Sequence, residues 1–439
     1  MLQPYNKRGN RNPFSALRVV LVIISLFIIF RIWSKQSYPD PRQWHQEWKK
    51  ISDTTRVILK EAPVNTRRVI VYNHQTNHDE VVLPFLEALS AHKDIETTLA
   101  VKEKRFGIQQ YMDNLAWKKP MKEVDLDIVT PNYVRDTGMN IFLDITCGDD
   151  LSNNPLFYHD LLVKTDVTLY CVIHHAERFK SHRPKFKLAK PWIKEKRIRF
   201  ITLSPHVQKS LYKYWDDDLI VHAPVSVFAP IFSMLEPTEQ STPSLQVPKV
   251  PYFAVQGNLE AKRRNYTAIV EQMSLLTGST AQGQLPKARL MLIGSGTPPI
   301  FPAEVEDLIE MRANLDYPDF YNAMAGSTAL IPAFASEEYY HTKASSTVAA
   351  SIIAGTPLLA SDKLLAAYSY LPSDLAIVTN DDNSALDGII KGLEYLQKDP
   401  RIRSKTRLGL YRLRSKIIAE NTAKLRRWVA RDLLEEEEM

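Results

Sequence analysis

Proton-handling side chains crowd one short stretch of the chain. Residues 72–80, YNHQTNHDE, carry His74, His78, Asp79 and Glu80 directly after an apolar run. Imidazoles and carboxylates this close can pass a proton or hold a hydroxyl-bearing acceptor. Asp79 has a plainer reading as the cap of the helix that follows. A second apolar run, VTLYCVIHH, ends on His174 and His175. Side chains alternate along a strand, so these two point to opposite faces and one of them can serve a site. No His/Cys/Asp spacing around them makes a closed metal site.

Two further groups suit anions. GNLEAKRRNY, residues 257–266, sets Lys262, Arg263 and Arg264 before a helix. Lys343, Ser345, Ser346 and Thr347 stand at the start of the apolar segment VAASIIAG. Free N–H groups at a helix start, with a cation beside them, hold phosphate without a metal. Ser345 or Ser346 as a simple helix cap, and 262–264 as a solvated basic loop, are the alternative readings.

These groups need a scaffold, and the apolar pattern supplies one. Strand-like runs occur at 67–74, 96–101, 126–129, 140–146, 167–175, 198–204 and 219–225, several of them followed by helical patterns such as PHVQKSLYKYW. The Pro-, Ser- and Thr-rich segment 237–251 interrupts the alternation, and YFAVQGN then begins a second one. That second series continues through ARLMLIGSG, TALIPAF, TPLLAS and LAIVT. Continuous apolar strands alternating with helices mean parallel sheets covered on both faces. The expected fold class is α/β: two Rossmann-like doubly wound domains, 66–236 and 252–400, followed by a basic helix and acidic tail, 401–439.

With 439 residues and 44% hydrophobic composition, the chain has material for two cores. Its start stands apart: basic residues 1–18 precede the uncharged run VVLVIISLFIIF. A twelve-residue helix rises only about 18 Å, so a span over 19–33 needs Arg18 and Arg31 to reach the interfaces. The charge order, and a following RIWSKQS without a small-x-small cleavage pattern, predict a type II signal anchor rather than the alternative of a cleaved signal peptide, with a polar stem at 34–65 and a luminal body in the Golgi or endoplasmic reticulum. Asn265-Tyr266-Thr267 is a sequon compatible with that compartment. Cys147 and Cys171 lie in apolar runs and read as buried free thiols, with a bridge between them as the alternative. The net charge of +6 concentrates in the N-terminal tail, in 178–199 and in the last helix. Anionic ligands or a membrane surface account for it, since a luminal protein meets little nucleic acid.

The succession GN…KRRNY, LMLIGSG, DFYNAMAGSTALIPAF and GTPLLAS resembles the C-terminal half of GT-B glycosyltransferases of the group-1 or family-4 kind. ITLSPHVQKSL and HAPVSVFAP are similar to segments of their N-terminal half, and the likeness covers about Arg67 to Gln397. It implies transfer of a sugar from a nucleotide-sugar donor to a glycan, protein or lipid acceptor, with retention and no obligatory metal or other cofactor. It places Gly257, Asn258, Lys262, Arg263, Arg264, Lys343, Ser345, Ser346 and Thr347 at the donor, and a histidine of the His174–His175 pair at the reacting centre. It also implies that the last helix crosses back onto the first domain, through Leu408, Tyr411, Ile417 and Trp428; a basic face resting on a membrane is the alternative. The family's paired glutamates fall here on Thr342 and Ala350, which leaves Glu337 or Glu338 for the sugar-facing role. That departure motivates the second reading, a glycosyltransferase-like binding protein without turnover.

Overall fold

A computed structural model describes residues 66–114, 121–215, 223–234, 250–281, 287–380, 385–398 and 400–434. The expected anchor and stem, most of the 237–251 segment and the acidic tail lie outside the described residues. Among those described, no helix is long and apolar enough to cross a membrane.

The first half is a seven-stranded sheet, every pair parallel, formed by β1 (Arg67–Asn73), β2 (Ile95–Val101), β3 (Lys122–Glu123), β4 (Ile141–Asp144), β5 (Thr168–Ile173), β6 (Ile198–Thr202) and β7 (Val225–Val227). Their spatial order is β3-β2-β1-β4-β5-β6-β7. The chain steps outward from β1 and then returns to the other side of it at β4, so the β1/β4 boundary is the switch point where a crevice opens beyond the strand ends. β4 and β5 are buried throughout, as a sheet covered on both faces requires.

The second half repeats the plan with β8 (Tyr252–Asn258), β9 (Arg289–Ser295), β10 (Ile309–Ala313) and β11 (Ala329–Leu330), in the order β10-β9-β8-β11. A parallel bridge from Leu330 to Leu358 continues it to the pair β12 (Leu359–Ser361) and β13 (Ile377–Thr379). One apolar core runs through both halves, from Val71, Leu143 and Val172 to Met291, Leu330, Val348 and Ile352. Each sheet has a separate core on its other face, around Phe142 and Trp192 in the first half and Phe253 and Leu290 in the second.

The helix Pro400–Leu434 packs against the helix Asp79–Ser90 of the first half. Asn421 donates to the Ala229 carbonyl at 2.7 Å, and Trp428 lies beside Tyr170 and Phe228. Its arginines have a structural employment. Arg403 and Arg407 donate to carbonyls at the end of the helix Tyr317–Gly326, and Arg414 donates to Ile353 at the end of the helix Ser346–Ala354. Cations at carbonyl-rich helix ends offset the macrodipole. Gly355, at φ +66°, ends that second helix, and a Cβ there would fall 2.2 Å from the Tyr411 ring. Leu408, expected in this interface, is half exposed.

Two other expectations need correction. Cys147 and Cys171 are joined in a disulfide. Asp144 pairs with Cys171 across β4 and β5, and the turn after β4 brings Cys147 over the same strand, with the two Cα atoms 5.2 Å apart. Closing a loop of this length stabilises the fold by about 3 to 4 kcal/mol. Leu126–Ile128 forms a 3-10 turn with Val129 buried just after it, and the edge strand is the polar pair Lys122–Glu123. A short apolar run does not distinguish a strand from a turn, and Ile128 is half exposed.

Candidate functional site

At the end of β1 the buried Asn73 donates to the Asn77 carbonyl at 3.1 Å, which folds residues 74–77 back over the sheet edge. Gln75 donates to Asp150 Oδ1 at 2.7 Å, and the Thr146 hydroxyl donates to its other oxygen at 2.6 Å. His74 Nδ1 lies 3.7 Å from Asp150. Beneath them Asp144 accepts from the Tyr158 hydroxyl. Burial, and after it the neighbouring Asp150 charge, push the Asp144 carboxyl well above the usual carboxylate range. This network fixes the loop on which the histidines stand.

His78 caps the helix Asp79–Ser90 with φ +66° and without a side-chain bond, so Asp79 is not the cap. Its ring stacks on His174 with centroids 3.8 Å apart. His174 Nε2 lies 2.8 Å from the Ile145 carbonyl. A carbonyl only accepts, so Nε2 carries the proton. Burial, reinforced by His78, holds the His174 pKa well below its ordinary value. Both the hydrogen bond and the lowered pKa favour the tautomer that leaves the lone pair on Nδ1. Asp79 is buried 3.7 Å from Arg105 Nε, and burial followed by the Glu80 charge pushes it up to about 6. Burial works to raise Glu80, but His78, 3.6 Å away, outweighs it and holds that carboxyl below its usual range.

His174 and His175 stand just beyond the end of β5, and both face one small pocket, against the expectation that alternation sends them to opposite faces. The Nδ1 of His175 lies 3.0 Å from Glu177, whose carboxyl burial raises but His175 and backbone N–H groups draw down to about 2. His174 and His175 line a small pocket with Thr146, Gly148, Asp149, Arg178 and Lys185.

In the second half, Gln256 donates to Thr347 Oγ1 at 2.8 Å and to Ser346 Oγ at 3.3 Å. Ser345 caps the helix Ser346–Ala354 by accepting from the Thr347 N–H, and Ser346 is exposed. The Lys343 ammonium turns to Glu338 at 2.5 Å and lies over the Tyr339 ring. Glu337 pairs with Lys363, and both glutamates are solvent-facing. Lys262 pairs with Glu260, Arg263 is exposed, and Asn258 accepts from the Glu260 N–H at 3.1 Å. Arg264 is buried and donates to the Pro332 and Gln256 carbonyls. Its guanidinium lies over Gly257, at φ +104°, where a Cβ would come within 2.8 Å of it. Asn265 is exposed and accepts from the Ala268 N–H at 3.3 Å, so the sequon opens the helix Tyr266–Ala281.

The halves meet on two flanks of this region. On one, His175 bridges to Lys343, Ala176 donates to the Thr342 carbonyl, and the His206 ring reaches the Lys343 and Ala367 carbonyls at 2.8 and 3.0 Å. On the other, the Tyr317 N–H donates to the Phe106 carbonyl at 2.7 Å. The structure thus gathers His74, His78, Asp79, Glu80 and His174 on the first sheet, and Gly257, Ser345, Ser346 and Thr347 on the second. Glu337, Glu338, Lys262 and Arg264 are committed to other partners. Sequence reasoning missed Arg105, His206, Gln256 and Tyr317. Gln256 had a signal, as a polar amide inside the apolar run of YFAVQGN. Among the described residues, no three His, Cys, Asp or Glu side chains are grouped to hold a metal ion.

No family model and no curated protein matches the chain. Solved structures do. Anabaena HepE in complex with UDP superposes with a TM-score of 0.56 at 10% identity, over 83% of this chain and 99% of HepE. Sucrose-phosphate synthase from Thermosynechococcus elongatus gives 0.55 at 12% identity, again over 83% and 99%. A glycosyltransferase from Rickettsia africae gives 0.55 at 10%, over 84% and 99%. The fold is GT-B. At this identity the likeness is one of architecture, and the site must be argued from its own residues.

Proposed function

We propose that the chain is a glycosyltransferase that moves a sugar from a nucleotide-diphosphate donor to a hydroxyl of a glycan, protein or lipid acceptor. The observation that carries this is the His174 ring, which follows β5, donates through Nε2 to the Ile145 carbonyl and stacks on His78 from the end of β1, next to the residue whose bridge to Lys343 leads to a helix start lined with hydroxyls. The donor diphosphate lies against Gly257, Asn258, Ser346 and the N–H groups opening the helix Ser346–Ala354, where partial positive charge stabilises it as it leaves. His174 Nδ1 accepts from a sugar or acceptor hydroxyl, and His74, His78, Asp79 and Glu80 line the acceptor side. Retention and metal independence are implied by the family resemblance. HepE is also known in complex with UDP-glucose, and an Escherichia coli trehalose-6-phosphate protein with UDP-2-fluoro glucose, so UDP-glucose is the first donor to test.

The reading extends to a type II protein with a luminal body in the Golgi or endoplasmic reticulum. The Cys147–Cys171 disulfide supports an oxidising compartment, and the exposed sequon is compatible with one. The commitment of Arg264 to two carbonyls and of Lys343 to Glu338 favours the second reading, a binding protein without turnover. Thermal unfolding of the full chain with UDP, GDP, CMP and their sugar conjugates, with and without Mn²⁺, separates the two. A selective upward shift with release of the nucleotide from its sugar conjugate supports transfer. A folded sample that responds to none of them leaves the binding protein as the reading.

A further inference from the structure

One covalent bond ties together the segments that hold the histidines of the site. Cys171 stands in β5 three residues before His174, and Cys147 opens the helix Cys147–Asn153 two residues after Ile145. Ile145 supplies the carbonyl to which His174 Nε2 donates at 2.8 Å. The bridge therefore joins the two segments at either end of that hydrogen bond, close to it on both sides.

The same short helix serves the loop after β1. Its Asp150 accepts from Gln75 at 2.7 Å and from Thr146 at 2.6 Å, and lies 3.7 Å from His74 Nδ1. Residues 74–77 are thus held through a helix whose first residue is Cys147. The helix is closely packed, since a Cβ on Gly148 would come within 2.9 Å of the Phe179 ring. Its ion pairs, from Asp149 to Arg178 and Lys185, rest on a half-exposed carboxylate, where such pairs contribute little. Both cysteines are fully buried. Two thiols cannot come as close as two bonded sulfurs, so without the bond the helix start must move off β5 inside a packed interior. A displacement of about 1 Å near a reacting group is enough to cost about 10²-fold in rate.

We propose that the Cys147–Cys171 bridge is a positioning element of the site: it holds His174 and the loop 74–77 in the arrangement that transfer needs, so that transfer depends on oxidation of this one pair. The proposal deepens the transferase reading and rests on it for the word transfer. The hold on His174 can be read without a donor. The bond forms by thiol–disulfide exchange, in which the two thiols give two electrons and two protons to an external disulfide that leaves as a dithiol. Because the pair is buried, that exchange belongs to the folding of the first half.

The test compares the full chain in zwitterionic micelles with the variant C147A/C171V, which keeps both positions apolar. Exchange of the imidazole C2 hydrogen, followed for each histidine by mass spectrometry over a pH series, reads each titration midpoint. Burial lowers both His174 and His92 in the bridged chain. Without the bridge, the His174 midpoint should rise toward the ordinary value of about 6.5, while that of His92, at the Thr422 carbonyl, stays where it is. Sugar transfer should fall about 10²-fold, with the unfolding shift given by UDP unchanged. Leu393→Ala, a large-to-small change in the core of the second half, should leave the His174 midpoint alone. An unchanged His174 midpoint in C147A/C171V overturns the proposal. So does a rise shared by His92 or by Leu393→Ala, because the whole fold would then have loosened. If C147A/C171V does not fold, the parent chain produced under reducing conditions gives the same reading before and after oxidation by glutathione disulfide: the His174 midpoint should fall on oxidation, and a midpoint indifferent to the bond overturns the proposal. Failure of every nucleotide to bind removes the transferase reading and leaves the His174 titration to decide the hold of the bridge by itself.

Discussion

The strand ends of the two sheets form the two sides of one region, yet they are furnished in opposite ways. The first sheet carries imidazoles and carboxylates whose titration is displaced by burial: Asp144 and Asp79 upward, His174 downward. The second carries an amide, three hydroxyl side chains, a glycine at positive φ, and cations already satisfied by carbonyls or glutamate. Groups held away from their ordinary pKa are suited to exchanging protons. Neutral donors around a helix start are suited to holding an anion that must later be released. Under the proposed function, the difference assigns hydroxyl chemistry to the first half and the departing nucleotide to the second.

The sharpest way to break this assignment is His174→Ala. Sugar transfer should fall by about 10² to 10⁴-fold, while the shift in unfolding temperature with UDP stays as it was, since the nucleotide lies on the other half. A variant that transfers normally, or that loses UDP, would show the halves to be misassigned.

A smaller effect tests the first half through stability. Asp79 has a folded pKa of about 6 against an ordinary 3.8, so the folded state binds its proton more tightly than the unfolded chain does. Stability from this group is present below about pH 4 and is lost as pH rises to about 6, by about 2 to 3 kcal/mol in all. Asp79→Asn should abolish that loss, so the variant should gain on the parent by this amount between pH 4 and pH 7 in urea titrations. Parallel pH dependence in the two proteins would mean that Arg105 keeps Asp79 ionised.

The second half should answer most weakly. Ser345→Ala removes the cap and should cost about 1 kcal/mol of stability. Ser346→Ala, at an exposed position, should leave stability alone and weaken UDP binding about five-fold, the value of one hydrogen bond. If both changes act on stability and neither on UDP, the helix start is a cap and nothing more.

Much of the scaffold was legible because period and burial agree. RRVIVYN and YFAVQGN are β1 and β8, and the helix starting at Ser346 ends at the glycine that GTP announced. The edge strand Ile309–Ala313 was not legible, because it is partly exposed and mixes charged with apolar residues. At the site, the stretch 72–80 declared its chemistry through composition alone. Its partner His174 was visible too, but the stacking of the two rings depends on the β1/β4/β5 order and on the left-handed turn at His78.

Other choices belonged wholly to the tertiary structure. A cysteine in an apolar run reads the same whether free or bridged, and the register of β4 on β5 made it a disulfide. A run of three cations reads as one basic loop. The missing Cβ of Gly257 and two open carbonyls drew Arg264 inward and left Arg263 outside. The amino-acid sequence by itself determined the alternation of strand and helix in two series, the placement of polar clusters at strand ends and the concentration of basic residues in 178–199, because each follows from local period and charge. Only the tertiary structure decided which cations are spent, which histidine nitrogen donates and which thiols meet, because those depend on partners brought together from distant parts of the chain.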